Sequence, residues 1–215
     1  MNIAIIGSGN VGSALGSSLV SAGHRVTVTA RDSVKATTVA VQIGASVVPS
    51  ALAAAEAADV IVLAIPYGAV ESVAKEIAAA VSGKVVIDTT NPLKADYSGL
   101  ATDGGPSGAE RIAAQLPGAR VVKAFNTLFA SIQADTAVHG QTVDGLIAAD
   151  DADAKTTVAE LMKAIGLRPV DAGPLAGARE LESLAWLNIA LQLRTGGSWK
   201  SSFVLIGAPD KAIAA

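Results

Sequence analysis

Gly7-Ser8-Gly9-Asn10-Val11-Gly12 is a GxGxxG run, and its chemistry would be phosphate binding. The apolar stretch NIAIIG precedes it, and Val11, Leu15, Leu19 and Ala22 follow at helical spacing, which is the strand–turn–helix context such a run requires. Gly7 permits the tight turn, Gly9 lets the backbone approach a pyrophosphate, and Gly12 lets helix and strand pack closely. Free N–H groups at the helix start then point at the phosphates. An ordinary tight turn between strand and helix is the plainer alternative.

A second set of reactive types lies in TARDSVKA, residues 29–36. In dinucleotide-binding folds the second strand usually ends in an acid that holds a ribose 2′-hydroxyl. Ala30 stands about where that acid belongs, and Arg31 and Lys35 follow. Arg offers a planar fork for phosphate oxygens, Lys adds a compact charge, and Ser33 adds a hydroxyl. The pattern favours NADP over NAD. Two readings compete with it: both cations are solvated at a helix start, or Asp32, two positions along, is the NAD acid.

Ligands in open α/β sheets bind outside the carboxyl ends of the strands. Three such ends carry unusual residues: Ala64-Ile65-Pro66-Tyr67, Asp88-Thr89-Thr90-Asn91-Pro92-Leu93 and Lys123-Ala124-Phe125-Asn126-Thr127-Leu128. Pro66 and Pro92 fix loop geometry. Asn91, Asn126 and Thr127 are neutral hydrogen-bonders suited to a nicotinamide or a ring ligand, and the asparagines equally suit turns. No residue is assigned as a general acid or base. His24 precedes the second strand, His139 lies between a helix and a strand, and Lys123 sits within a strand run as an edge or salt-bridged residue. No Ser-Tyr-Lys arrangement or metal-ligand cluster is visible. Direct hydride passage between two bound cofactors needs no such group.

The elements that must position these residues alternate. Apolar, strand-like runs fall at 2–7, 25–30, 59–65, 84–89, 120–125, 143–149 and 168–173. Helical periodicity covers the segment after Gly9, residues 68–81 and residues 152–165. The alternation predicts an α/β fold with a doubly wound, mainly parallel sheet, an NADP-binding Rossmann fold. Residues 1–125 would form the dinucleotide-binding core. Residues 126–215 would form a small C-terminal extension of the same domain, with the acceptor pocket and a dimer helix. Residues 91–110 read as a long functional loop, and 175–194 as a helix apolar all round, hence buried, at a subunit interface.

Composition narrows the class. The chain has 215 residues, is 51% hydrophobic and 16% charged, and carries a net charge of −3, so a nucleic-acid partner is not expected. With no cysteine, disulfides, thiolate metal sites and a thiol nucleophile are excluded. The longest apolar runs, about ten residues, are half a membrane span, and no basic leader precedes the first strand. A cytoplasmic protein with small-molecule redox partners, and no membrane partner, is the expectation.

GSGNVGSALGSSLVSAGHRVTVTARD, VIVLAIP, VVIDTTNPL, VVKAFNTLFA, DDADAKTTVAELMKAIGLRPVDAGPL and ARELESLAWL together resemble the NADPH-dependent F420 reductase family and its bacterial relatives, over nearly the whole chain. They are also similar to the reductase domain of STEAP-type metalloreductases. The resemblance implies NADP beside coenzyme F420, or FMN or FAD, as second redox partner. It implies that Ser8, Asn10 and Val11 meet the pyrophosphate and Arg31 with Lys35 the 2′-phosphate. Ile65, Pro66, Asn91 and Pro92 would flank the nicotinamide, with Asn126 and Thr127 near the ring partner. Family members are commonly homodimers. VKAFNT matches the bacterial relatives better than the deazaflavin reductases proper, and the tail RTGGSWKSSFVLIGAP matches neither. Three other functions fit the same residues: a flavin or ferric reductase, a nonenzymatic NADP(H) sensor, and an imine, pyrroline-carboxylate or hydroxyacid reductase. The last needs a larger helical domain than the residues after about 125 supply.

Overall fold

The computed structural model of the protein describes residues 1–138 and 140–207. His139 and the last eight positions lie outside the described residues. In chain order the elements are β1 (Asn2–Ile6), α1 (Asn10–Ser21), β2 (Arg25–Thr29), α2 (Ser33–Ile43), β3 (Ser46–Val47), α3 (Ala51–Ala57), β4 (Val60–Leu63), α4 (Val70–Ile77) and β5 (Val85–Asp88). Then come α5 (Gly108–Gln115), β6 (Arg120–Ala124), α6 (Ala130–Ala134), β7 (Ala137–Val138), β8 (Gln141–Thr142), β9 (Asp144–Ala149), α7 (Ala152–Ala164), β10 (Arg168–Asp171) and α8 (Ala178–Thr195).

Eight strands form one sheet in the order β10-β9-β6-β5-β4-β1-β2-β3, and β7 and β8 make a separate short hairpin. All sheet neighbours are parallel except β6 and β9, where Val122 faces Ala149 and Ala124 faces Ile147. This is the doubly wound, mainly parallel α/β sheet expected from the alternation. The chain moves outward from β1 in one direction and from β4 in the other, so the topological switch point lies between them.

Strands β1, β4 and β5 are buried on both faces, which is why their sequences are continuously apolar rather than alternating. Ile3, Ile5, Val28, Val62 and Ile87 pack on one face against Leu15 and Leu19 of α1, Ala36 and Ala40 of α2, and Val158 and Met162 of α7. Ala4, Ile6, Ile61, Leu63 and Val86 pack on the other against Ala54 of α3, Ala74 and Ile77 of α4, and Ile112 of α5.

Three expectations change. The helix over 68–81 is three pieces: 3-10 turns at Tyr67–Ala69 and Ala78–Ala80 flank the α-helical Val70–Ile77. The 91–110 loop ends early, because Ser107 and Glu110 form a capping box that starts α5 at Gly108. The last helix is not buried all round. Leu181, Glu182, Ala185, Asn188 and Gln192 face inward, while Leu187, Leu191 and Leu193 are about half exposed. Its inner face carries Glu182, Asn188 and Gln192 because it meets the buried Lys123 of β6 and the tail, where Ser201 bonds both Asn188 and Gln192. Several of its leucines therefore lie outward.

Candidate functional site

The turn after β1 is built as its glycines require. Gly7 has φ of +126°, its N–H donates to the Thr29 carbonyl, and a Cβ there would lie 2.0 Å from the Ala64 carbonyl oxygen. A Cβ on Gly12 would lie 2.1 Å from the Gly7 carbonyl oxygen. Gly9 differs: nothing lies within 4 Å of the position its Cβ would take. Gly9 is also the N-cap of α1 and offers no side-chain cap, and no acidic residue sits in the first turn. The helix start thus presents uncapped N–H groups, around Asn10, Val11 and Gly12, beside open space, an arrangement that attracts anions.

A cleft of about 950 Å³ opens at the switch point, and Gly7, Ser8, Gly9, Arg31, Lys35, Ile65 and Pro66 all line it. The opposite wall is one face of the Tyr67–Ile77 region, including Ala69, Ser72, Val73 and Glu76, with Pro49, Ser50 and Ala51 between. Arg31 and Lys35 are exposed, and neither is paired with a carboxylate among the described residues. Asp32 has a local task. It is the N-cap of α2, and its Oδ1 accepts from the Lys35 N–H at 3.0 Å. That bond accounts for an acid at this position without a ribose.

Asn91, Pro92, Asn126 and Thr127 do not line this cleft; they cluster at the carboxyl ends of β5 and β6. Asn91 Nδ2 donates to the Asn126 carbonyl at 2.9 Å, and Asn126 Nδ2 donates to Asn91 Oδ1 at 2.9 Å and to the Leu181 carbonyl at 3.1 Å. Pro92 is buried, and Thr127 is buried beside the pair. The turn here is strained. Phe125 is buried with φ of +63°, and Gln133 Nε2 donates to the Phe125 and Leu128 carbonyls. Asn126 Oδ1 and the Thr90 hydroxyl are buried without a hydrogen-bond partner, an amide acceptor and a hydroxyl on adjacent strand ends.

Under these ends lies a buried ion cluster whose partners sequence reading did not bring together. Lys123 Nζ donates to Asp88 Oδ2 at 2.8 Å, to the Thr90 carbonyl at 2.5 Å and to Glu182 Oε1 at 2.9 Å. Lys123 is fully buried in a central strand, so of the two roles expected for it the salt bridge holds and the edge position does not. Glu182 also accepts from the Gly108 and Ala109 N–H groups at the start of α5. The only sequence signal was the charged pair itself, Asp88 and Lys123, inside apolar strands. These groups are consumed by one another, which leaves no free acid or base there.

Other titratable groups lie away from the cleft. Arg179 forks onto Glu110 at 2.7 and 2.8 Å and, with the Ser107 capping bonds, holds the Glu110 carboxyl down at about 2. His24 sits at the amino edge of the sheet, where partial burial and the nearby N-terminus lower its pKa. No group of metal-ligating side chains occurs among the described residues. No helix among them is long and apolar enough to cross a membrane.

The profile of a family described as NADP oxidoreductase, coenzyme F420-dependent, matches residues 2–92. The chain is 35% identical to the F420-dependent NADP reductase of Methanothermobacter marburgensis, across 90% of this chain and 93% of that one. It is 32% identical to the metalloreductase STEAP3 of Rattus norvegicus across 92% of this chain, but spans 38% of that protein's length. The crystal structure of a putative F420-dependent NADP reductase from Arthrobacter sp. FB24 superposes with a TM-score of 0.85 at 26% identity, covering 94% of this chain and 98% of that one. With the glycine turn, the uncapped helix and the switch-point cleft in place, this likeness along both whole chains establishes that the protein belongs to the F420-dependent NADP reductase family.

Proposed function

We propose that this protein transfers a hydride directly between NADPH and the deazaflavin coenzyme F420. Membership of the family supports an NADP-dependent oxidoreductase. One observation carries the NADP half: two exposed cations without carboxylate partners, Arg31 and Lys35, share a cleft with the uncapped start of α1. In this reading Gly7, Ser8, Gly9, Asn10, Val11 and Gly12 hold the pyrophosphate, and Arg31 and Lys35 hold the 2′-phosphate. Ile65 and Pro66 border the nicotinamide.

The acceptor stands on the β5–β6 side, with Asn126 and Thr127 near its ring and Asn91 and Pro92 between it and the nicotinamide. Asn126 Oδ1 and Thr90 Oγ1 offer hydrogen-bonding capacity that no protein group uses. Residues 1–125 then act as the dinucleotide-binding core and 126–215 as the extension that walls the acceptor. In the reaction the dihydronicotinamide supplies two electrons with one hydrogen to the deazaflavin, and solvent supplies the second proton. The protein's part is to align the two rings. No protein acid or base is needed, in keeping with the carboxylates and ammonium of the strand ends being bonded to one another.

The likeness to a metalloreductase favours a second reading, NADPH-dependent reduction of a flavin with onward transfer to ferric iron. The test mixes protein and NADPH with F420 in one cell and with FMN or FAD and a ferric chelate in another. Loss of both the dihydronicotinamide and the deazaflavin absorbance supports F420 as acceptor. NADPH loss with flavin alone rejects it, and tight binding without turnover in either cell supports a sensor.

A further inference from the structure

We propose that Glu76 reads the exocyclic amino group of the adenine ring, so that the protein selects an adenine over a hypoxanthine nucleotide. The proposal rests on the nucleotide reading of the cleft. Ala69, Ser72, Val73 and Glu76 all line that cleft, and their spacing of three, four and seven residues places them on one helical face. From Ala69 to Glu76 the helix rises about 10 Å. This face therefore runs from the Ile65–Pro66 end of the cleft to a distal end. Arg31, just after β2, Lys35, in the first turn of α2, and Pro49 and Ser50, beyond the neighbouring β3, line the same cavity. Ala51, Ala69 and Val73 give that cavity apolar surface suited to a flat ring.

Two carboxylates line the cleft, Asp32 and Glu76. Asp32 Oδ1 caps α2. Glu76 is held in place because its Oε1 accepts from the Leu52 N–H at 3.1 Å, while its Oε2 has no protein partner among the described residues. A carboxylate only accepts, and it repels phosphate, so the group it fits at this end is a donor. The amino group of adenine is one. Hypoxanthine has a carbonyl in its place, which would face the carboxylate oxygen and leave it unpaired.

The test compares binding of NADPH with that of its hypoxanthine counterpart, by titration of the full chain and of the Glu76→Gln variant. Glutamine keeps an oxygen for Leu52 and turns the other atom into a donor. The native protein should prefer the adenine form by about tenfold, the scale of one hydrogen bond to a charged acceptor, and Glu76→Gln should lose or reverse the preference. An unchanged ratio in the variant, including equal weakening of both nucleotides, would show a merely structural tie to α3 and overturn the proposal. Failure of the native protein to bind either nucleotide would instead overturn the nucleotide reading itself.

Discussion

At the scale of single residues, Gly9 and Gly12 are the same amino acid under opposite constraints. A methyl on Gly12 meets backbone, whereas one on Gly9 meets open space. Gly12→Ala should cost about 1–3 kcal/mol of stability or more, as overpacking does, and show it in the urea midpoint. Gly9→Ala should unfold like the native protein yet bind NADPH more weakly in a titration, because the methyl occupies the approach to the helix start. Arg31→Ala and Lys35→Ala should each weaken NADPH by about 1.5–3 kcal/mol and leave NADH nearly unchanged. Equal losses for both nucleotides would remove the 2′-phosphate from this position. Asp32→Asn should be mild in both assays, since asparagine also caps a helix.

Among elements, the decisive contacts are those that tie α8 to the sheet. Glu182 joins Lys123 of β6 and the first turn of α5, and Asn126 reaches the Leu181 carbonyl. Lys123→Met would leave Asp88 and Glu182 buried and uncompensated, so a loss of about 3–5 kcal/mol is expected in denaturant unfolding. A second tie is Arg179 to Glu110. The folded carboxyl lies below its ordinary 4.5, at about 2, so the stabilisation is complete above about pH 4.5 and fades as the pH falls toward 2. Because half of the Arg179 side chain is exposed, Arg179→Ala should lower stability only slightly at neutral pH. That gap from the native protein should close in unfolding curves taken at progressively lower pH.

For the whole molecule, the outward face of α8 is the feature a monomer does not explain. Leu187 and Leu191, one turn apart on the same side of the helix, are 49% and 43% exposed, and Leu193, on another side, is 51% exposed. We propose that this face forms a homodimer. Sedimentation should give a dimer for the native chain and a monomer for Leu187→Glu with Leu191→Glu; a native monomer at micromolar concentration would reject it.

The sequence by itself determined the sheet, the glycine turn and the cation pair. Each is local: buried parallel strands need continuous apolar runs, and a βα phosphate turn needs glycines at fixed offsets. Short helices such as α3 and α6 carried too few turns for their period to stand out. Tertiary structure alone decided the partners of Lys123, because Asp88 and Glu182 lie 35 and 59 residues away along the chain. It also decided that Asp32 caps a helix and that Glu76 lines the same cleft as Arg31. The polar part of the inward face of α8 was likewise hidden, since its partners are Lys123 of β6 and Ser201 of the tail. Spacing along a chain reports which residues share a face; only packing brings the faces of different elements together.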